Sequence, residues 1–412
     1  MSLRPVLPRG LGTFLCGGGL NVGMQPRLTD RIRQVERSPI RAMFDLAEEL
    51  GGDLVRLELG EPDFDTPRHI VEAAHDAASR GETHYTPNAG IPELRAALSE
   101  VTERETGVRA PPERYVVTNG AMEAVYLVSM ATVGPEEKLL LPSPTYTNYF
   151  AQARLAEGDP VEIPMDPADG FALDADRVIE EMGPDAAAVL LCSPSNPTGR
   201  LYDEDAIRAV VEAAADHGVT VIADEVYGGL CYDTDFTGIA ALTDHPDHVV
   251  TIGSSSKTYA MTGWRVGWFS GPAELVEEIT MAREAVTSCT STPGQYAALA
   301  ALTGPQEPVR EMFETFRDRR DYVMDRVDAI DGLSCPRPEG AFYAFVRLDL
   351  PGSSVEVAEH LLREYGVVLA PGSAFGTAGE GWHRLSFANS LDRLEEGFDR
   401  LERALVESRS TV

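Results

Sequence analysis

The chain has 412 residues, more than a single domain usually holds, so two domains are expected. Asp and Glu number 66 against 35 Lys and Arg, and the resulting formal net charge of −31 excludes a nucleic-acid partner, because a phosphate backbone would be repelled. No stretch approaches the roughly 20 apolar residues that a membrane span requires, so no membrane association is expected.

The acidic residues are spread along the whole chain and do not form a tail. An ordinary acidic protein is one interpretation, but the size of the excess favours adaptation to high salt, that is, a halophilic protein. The five cysteines are odd in number and contain no CxxC pair, which indicates neither a disulfide framework nor a metal site. A reduced, cytoplasmic location is therefore expected. The cysteines are Cys16, Cys192, Cys231, Cys289 and Cys335.

Residues 1–23 are rich in Gly and Pro and are interrupted by arginines, which predicts a disordered extension, since a signal peptide needs a longer apolar run. Met24 is then a candidate for the true start. From Arg27 to Gly51 the pattern predicts an amphipathic helical arm. Residues 24–66 are interpreted as this arm together with part of a small domain.

Residues 67–305 alternate between apolar, strand-like runs and helical segments, for example YVVTNG followed by AMEAVYLVSMATV, which is typical of a mostly parallel sheet with helical crossovers. In the helix after SPSNPTG, one face carries four apolar residues. They are Ile207, Val210, Val211 and Ala214. Residues 306–412 begin with a long charged helix and continue with shorter strands, GAFYAFVRL and HRLSFA, which predicts a smaller α+β domain.

Lys257 is one of only two lysines in the chain, and it lies between two strand-like runs, HVVTIG and WRVGWFSG. A solvated loop residue is the ordinary interpretation. However, the rest of the chain uses arginine, and lysine differs from arginine in that it can lose its proton when desolvated and attack a carbonyl carbon to form a Schiff base. Ligand sites of open α/β sheets lie beyond strand ends, which is where Lys257 is expected.

The motif around this lysine resembles that of the class I/II aminotransferases, which are pyridoxal 5'-phosphate (PLP)-dependent enzymes of fold type I. Its matching positions are Ser254, Ser256, Lys257, Gly263, Arg265 and Gly267. The resemblance runs from about Met24 to the C-terminus and is nearest to the prokaryotic aspartate and aromatic amino acid aminotransferases. It includes the motifs LELGEPDFDTP, HYTPNAGIPELRAAL, SPSNPTG, ADEVY and EGAFYAF. This family resemblance implies an α/β fold type I PLP-dependent transferase, with a mostly parallel large domain and a smaller α+β domain.

The cofactor's phosphate would require N–H groups at a helix N-terminus and a cation. The turn over Gly120, Ala121 and Met122 is the candidate for the N–H groups, although it is otherwise an ordinary strand-to-helix turn. Arg265 is the candidate for the cation. The resemblance adds three phosphate ligands, which are Ser254, Ser256 and, from the neighbouring subunit of a homodimer, Tyr85.

The pyridine ring would require a carboxylate at its nitrogen, and Asp224 at the end of VTVIADEVY is the candidate. Otherwise this buried carboxylate caps a turn or meets a buried cation. Tyr227 and Asn196 are similar to family residues that bond the ring's phenolic oxygen. Tyr146 matches the position that stacks on the ring, with a core tyrosine as its alternative.

The substrate's α-carboxylate calls for a bidentate arginine, and Arg384 matches the family residue in this role, helped by Asn196 and the backbone of Gly60. An ordinary surface arginine is the alternative. The amine of Lys257, together with Asp224 and Tyr227, would perform the chemistry. The expected reaction moves an amino group from an L-amino acid to 2-oxoglutarate with ping-pong kinetics.

The donor is left open between aspartate and aromatic amino acids, with alanine also a candidate. Some relatives have a distal-carboxylate lysine where this chain has Met122, and the other lysine, Lys138, is expected in a polar loop. A C–S β-lyase is the alternative enzyme on the same fold. A PLP-binding regulator fits less well, because it would carry a basic DNA-binding domain.

Overall fold

The computed structural model describes residues 28–410. The predicted disordered extension over residues 1–23 and the proposed start at Met24 lie outside the described residues. In chain order the helices are α1 (Asp30–Arg33), α2 (Pro39–Leu50), α3 (Arg68–Ser79), α4 (Pro92–Thr106), α5 (Ala121–Thr132), α6 (Asn148–Leu155), α7 (Ala175–Glu180), α8 (Glu204–His217), α9 (Ser255–Thr258), α10 (Ala273–Val286), α11 (Thr292–Thr303), α12 (Glu307–Ala329), α13 (Ser354–His360) and α14 (Leu391–Ser410). The strands are β1 (Val55–Arg56), β2 (Tyr115–Thr118), β3 (Lys138–Ser143), β4 (Asp159–Pro164), β5 (Ala186–Cys192), β6 (Thr220–Asp224), β7 (Val249–Ser254), β8 (Gly267–Ser270), β9 (Leu333–Ser334), β10 (Tyr343–Leu348), β11 (Val367–Val368), β12 (Ala370–Pro371) and β13 (Trp382–Ser386).

A seven-stranded sheet in the order β2-β8-β7-β6-β5-β3-β4 forms the centre of the molecule, and only β8 runs antiparallel to its neighbours. Alternate residues of its strands enter different cores. Leu140 packs in one cluster, whereas Leu139 and Leu141 pack in another. Because both faces are covered, the strands are apolar along their whole length, which is why the sequence shows continuous runs here.

The buried face predicted for the helix after SPSNPTG is confirmed, since the four apolar residues named above are the buried residues of α8. The acidic side chain of Asp203 caps this helix by accepting hydrogen bonds from two backbone N–H groups. Lys138, predicted in a polar loop, instead begins β3 and pairs with Asp185 at 2.9 Å.

Two smaller sheets lie outside the central one. Strands β12-β13-β10-β9 form an antiparallel sheet, and β1 pairs in parallel with β11, which joins the N-terminal region to the C-terminal region. Phe316 of α12 and Phe398 of α14 share a core with β1 and β10. The boundaries predicted for the two domains stay a prediction.

The predicted N-terminal helical arm is interrupted between α1 and α2. Ser38 has an extended backbone, with ψ of 131°, and Pro39 is the first residue of α2. A residue that precedes proline is driven out of the helical region by the proline ring, and proline also lacks the N–H that would continue the earlier helix. Among residues 28–410, no helix combines the length and apolar character of a bilayer span.

Candidate active site

A cavity of about 550 Å³ opens at the carboxyl ends of the central strands, beneath helix α2. Open α/β sheets bind ligands in this position, and the volume lies within the range of small-molecule sites. Most of the residues predicted from the sequence line this cavity. They are Gly60, Ala121, Met122, Tyr146, Asn196, Asp224, Tyr227, Ser254, Ser256, Lys257, Arg265 and Arg384.

Lys257 lies on the one-turn helix α9, directly after β7, and not in the loop that the sequence suggested. The Ser254 hydroxyl oxygen caps this turn by accepting from the Ser256 N–H at 3.1 Å. Lys257 Nζ donates to the carbonyl oxygen of Gly60 at 2.6 Å. A lysine placed in this way is pre-oriented toward the cavity.

The pKa of Lys257 is lowered to about 8. Burial is the largest cause, and the positive charges of Arg384 and Arg265 act in the same direction, whereas Glu61 and Asp224 oppose them. The Lys257 side chain is half-buried, because it lines the cavity beneath α2 and is otherwise surrounded by protein. A large share of this amine is neutral at mildly alkaline pH, and a neutral amine is the nucleophilic form.

Asp224 ends β6 and is buried. Its carboxylate accepts hydrogen bonds from the Tyr149 hydroxyl at 2.6 Å and from the Val226 N–H at 3.3 Å. Burial raises the pKa of this carboxyl, while those two bonds and the charge of Lys257 lower it. Among residues 28–410 no cation forms an ion pair with Asp224, so the carboxylate is available to a positively charged group of a ligand.

Two tyrosines form the wall of the cavity beside Lys257. The hydroxyl groups of Tyr227 and Tyr343 lie 3.0 Å apart in a hydrogen bond. Burial raises the pKa of Tyr227, so its hydroxyl stays protonated and can donate. Across the cavity, Tyr146 lies edge-on to Tyr149, and its hydroxyl accepts from Asn148 at 2.9 Å.

The turn between β2 and α5 lies against Arg265. Gly120 has a φ of 79°, and a Cβ placed there would lie 2.3 Å from Arg265 Nη2. A Cβ at Gly267 would lie 2.4 Å from the Ala121 nitrogen, so both positions require glycine. Gly120 therefore supports the site from behind without lining the cavity, and the first N–H groups of α5 have no partner within the helix.

Arg384 on β13 is 3% exposed and supplies a further cationic group to the cavity. It donates to Asn196 Oδ1 at 2.9 Å and to the carbonyl oxygen of Glu58 at 2.7 Å. Its Nε is buried without a hydrogen-bond partner. A buried guanidinium that binds neutral oxygens and retains a free donor is suited to a carboxylate ligand.

Besides Gly120, one predicted residue does not line the cavity, which is Tyr85, and its side chain is 90% exposed. Several wall residues were not predicted from the sequence, among them Arg41, Phe44, Tyr149 and Tyr343. Tyr149 lies in the first turn of α6, whereas Tyr146 precedes that helix, and nothing local in the sequence indicated the bond from Tyr149 to Asp224. Within residues 28–410 no group of His, Cys, Asp and Glu is placed to hold a metal ion.

The sequence model for aminotransferase class I and II matches residues 52–401. The chain belongs to this family. An aromatic-amino-acid aminotransferase 2 from Thermococcus litoralis is 38% identical, and the match covers 93% of this chain and 99% of the relative. An aspartate aminotransferase from Pyrococcus horikoshii is 35% identical, with 92% and 97% covered.

Solved structures agree with the family assignment. The aspartate aminotransferase from Thermus thermophilus with maleate has a TM-score of 0.87 at 36% sequence identity, and the match covers 92% of this chain and 100% of that chain. The fold predicted from the sequence, that of the fold type I PLP-dependent transferases, is confirmed.

Aminotransferases of this family depend on PLP, and the cavity fits that cofactor. Asp224 is a buried carboxylate without a cation, as the nitrogen of a protonated pyridine ring requires. The N-terminus of α5 beside Arg265 fits a phosphate. The lowered pKa of Lys257 fits an amine that reacts with an aldehyde.

Proposed function

We propose that this aminotransferase takes the amino group of aspartate or of an aromatic L-amino acid and transfers it to 2-oxoglutarate. The observation that carries the proposal is a buried arginine with a free donor, Arg384, in the same cavity as the low-pKa amine of Lys257. The printed names of the relatives support both donor classes, since one is an aromatic-amino-acid and another an aspartate aminotransferase.

Arg384 binds the substrate's α-carboxylate in this proposal. Asn196 and the Glu58 carbonyl oxygen hold the two Nη groups in place, and each Nη group has a second N–H for the substrate's carboxylate. The backbone of Gly60, whose carbonyl oxygen accepts from Lys257 Nζ at 2.6 Å, assists Arg384 in this proposal and lies beside the reacting amine. The substrate is thereby oriented with its α-carbon next to the lysine amine.

Bound PLP supplies an aldehyde carbon and an electron-withdrawing ring, which together allow the α-carbon of an amino acid to lose its proton. Asp224 would keep the nitrogen of the bound ring protonated. Tyr227 and Asn196 would donate hydrogen bonds to the ring's phenolic oxygen, and Tyr146 would pack against the ring. In its neutral form, the Lys257 amine can accept the proton of the α-carbon. Because the enzyme retains the amino group between two half-reactions, ping-pong kinetics are expected.

The phosphate is assigned to Ser254, Ser256, Arg265 and the turn over Gly120, Ala121 and Met122. Tyr85, which is 90% exposed, completes this site from a second copy of the chain, so the active form is a homodimer. Sedimentation at twice the chain mass tests the dimer. The four described cysteines are free, which supports a reducing, cytoplasmic location.

A donor screen tests the proposed reaction. The holoenzyme is mixed with each of the twenty amino acids in high salt, and the absorbance change of the cofactor is followed, with Lys257→Ala as the inactive control. Aspartate and the aromatic amino acids should react fastest. Pyruvate and a thiol released from cystathionine, with no amino transfer from any donor, would instead identify a C–S β-lyase.

A further inference from the structure

The cavity contains a fourth cation that the proposed roles leave without a function. Four cationic side chains line it within residues 28–410. They are Arg41, Lys257, Arg265 and Arg384. In the proposed function Lys257 reacts, Arg265 meets the phosphate and Arg384 meets the α-carboxylate. Arg41 is therefore the cation that remains for the rest of the substrate.

Arg41 lies on α2, the helix above the cavity, and it is held loosely. Its Nε lies 3.0 Å from Asp45, and the side chains of Arg41 and Asp45 are 63% and 36% exposed. A solvent-accessible pair of this kind contributes little to stability, so exchanging Asp45 for a ligand carboxylate costs little. Within the described residues Arg41 forms this one ion pair, through Nε, which leaves its Nη groups available.

Phe44, one turn further along α2, orients the guanidinium. The Arg41 guanidinium carbon lies 4.5 Å from the centre of the Phe44 ring, and Arg56 covers the ring at 4.8 Å. Stacking uses the face of a guanidinium and leaves its edge, where the N–H groups are, free to bind a carboxylate. The stacked arrangement thus presents donors and also restricts the side chain.

We propose that Arg41 binds the distal carboxylate of dicarboxylic substrates, so that helix α2 gives the cavity its specificity for aspartate and 2-oxoglutarate. This inference rests on the proposed function, because it assumes that Arg384 holds the α-carboxylate. An aromatic or aliphatic donor lacks the distal charge and does not depend on Arg41. Met122 lines the cavity but carries no charge, so it cannot take this role.

The test uses calorimetry to measure how two unreactive ligands bind to the holoenzyme. One ligand is maleate, a dicarboxylate, and the other is 3-phenylpropanoate, an aromatic monocarboxylate. Arg41→Gln should weaken maleate binding by about 10- to 100-fold, since one hydrogen-bonded charge pair is lost, and should change 3-phenylpropanoate binding less than twofold. Arg37→Gln is the matched control, because Arg37 also pairs with Asp45 and is 64% exposed but does not line the cavity.

Equal loss of maleate binding in Arg37→Gln and Arg41→Gln would overturn the proposal, as would unchanged maleate binding in Arg41→Gln or no maleate binding by the unmodified enzyme. Failure of the proposed function would look different. In that case the unmodified enzyme would bind maleate through Arg41, but no amino acid in the donor screen would change the cofactor absorbance.

Discussion

The two lysines of this chain have opposite environments, and this difference can be measured directly. The pKa of Lys257 is lowered to about 8 by burial and neighbouring arginines, whereas the hydrogen bond to Asp185 raises the pKa of Lys138. An amine is acylated only when neutral, so its labelling rises with pH through its pKa. In protein freed of cofactor, trace acylation of Lys257 should reach half of its maximum near pH 8. The corresponding pH for Lys138 should be well above this value.

Mass spectrometry of the two lysine peptides gives both titrations in one experiment, with Lys138 as the internal control. Replacing Arg384 by Gln should move the titration of Lys257 to higher pH, because a positive charge that lowers its pKa is removed. Titration of both lysines at the same pH would show that the cavity does not perturb Lys257.

Arg384 should matter equally for every amino donor, because all donors share the α-carboxylate. Arg384→Gln is expected to lower kcat/KM by roughly 30-fold or more, the loss that follows when a buried charge pair loses one partner. Arg347→Gln on the neighbouring strand β10 is the control, since Arg347 is exposed. A loss limited to dicarboxylic donors would place Arg384 at the distal carboxylate instead.

At the level of elements, the turn that starts α5 depends on Gly120. Gly120→Ala introduces a Cβ at 2.3 Å from Arg265 Nη2 and must displace that guanidinium. Affinity for PLP, measured by absorbance titration, should fall about tenfold or more through the loss of a charge-assisted bond to the phosphate.

Gly218→Ala is the control for this substitution. Gly218 has a φ of 72°, close to that of Gly120, but a Cβ there meets no atom within 4 Å. The Gly218→Ala variant should therefore have the same backbone strain as Gly120→Ala, about 1–2 kcal/mol, but no clash. Its melting temperature should fall while its PLP affinity stays unchanged. Equal PLP affinity in both variants would remove Gly120 from the phosphate site.

The elements were predictable where the pattern of the sequence is local. Strands β5, β6 and β7 are apolar runs buried on both faces, and α8 shows one apolar face, so periodicity indicated each. The break between α1 and α2 was missed because the amphipathic pattern continues across Pro39, although the proline itself was a local signal.

The site was predictable only in part, for a physical reason. Asp224, Asn196 and Lys257 follow strand ends, and the ends of parallel strands meet at one edge of the sheet. The bonds from Tyr149 to Asp224 and from Tyr343 to Tyr227 join residues 75 and 116 positions apart. Such pairs depend on how helices and sheets pack, and no spacing in the sequence encodes them.

At the scale of the whole molecule, the net charge of −31 should make stability depend on salt. Repulsion among acidic groups opposes the compact state, and salt screens it. The melting temperature measured by calorimetry should therefore rise by at least several degrees between low-salt buffer and molar KCl. Exposed ion pairs such as Arg68–Glu72 would give the opposite trend if they dominated, so a melting temperature that is constant or falls would contradict salt adaptation.

The central claim is that the amine of Lys257 forms the covalent link to PLP. Borohydride reduction of the holoenzyme, followed by peptide mapping, tests it most directly because the chain has only two lysines. The account predicts that the peptide containing Lys257 carries the cofactor's mass and chromophore and that the Lys138 peptide carries neither. Cofactor fixed to Lys138, or to neither peptide, would contradict it.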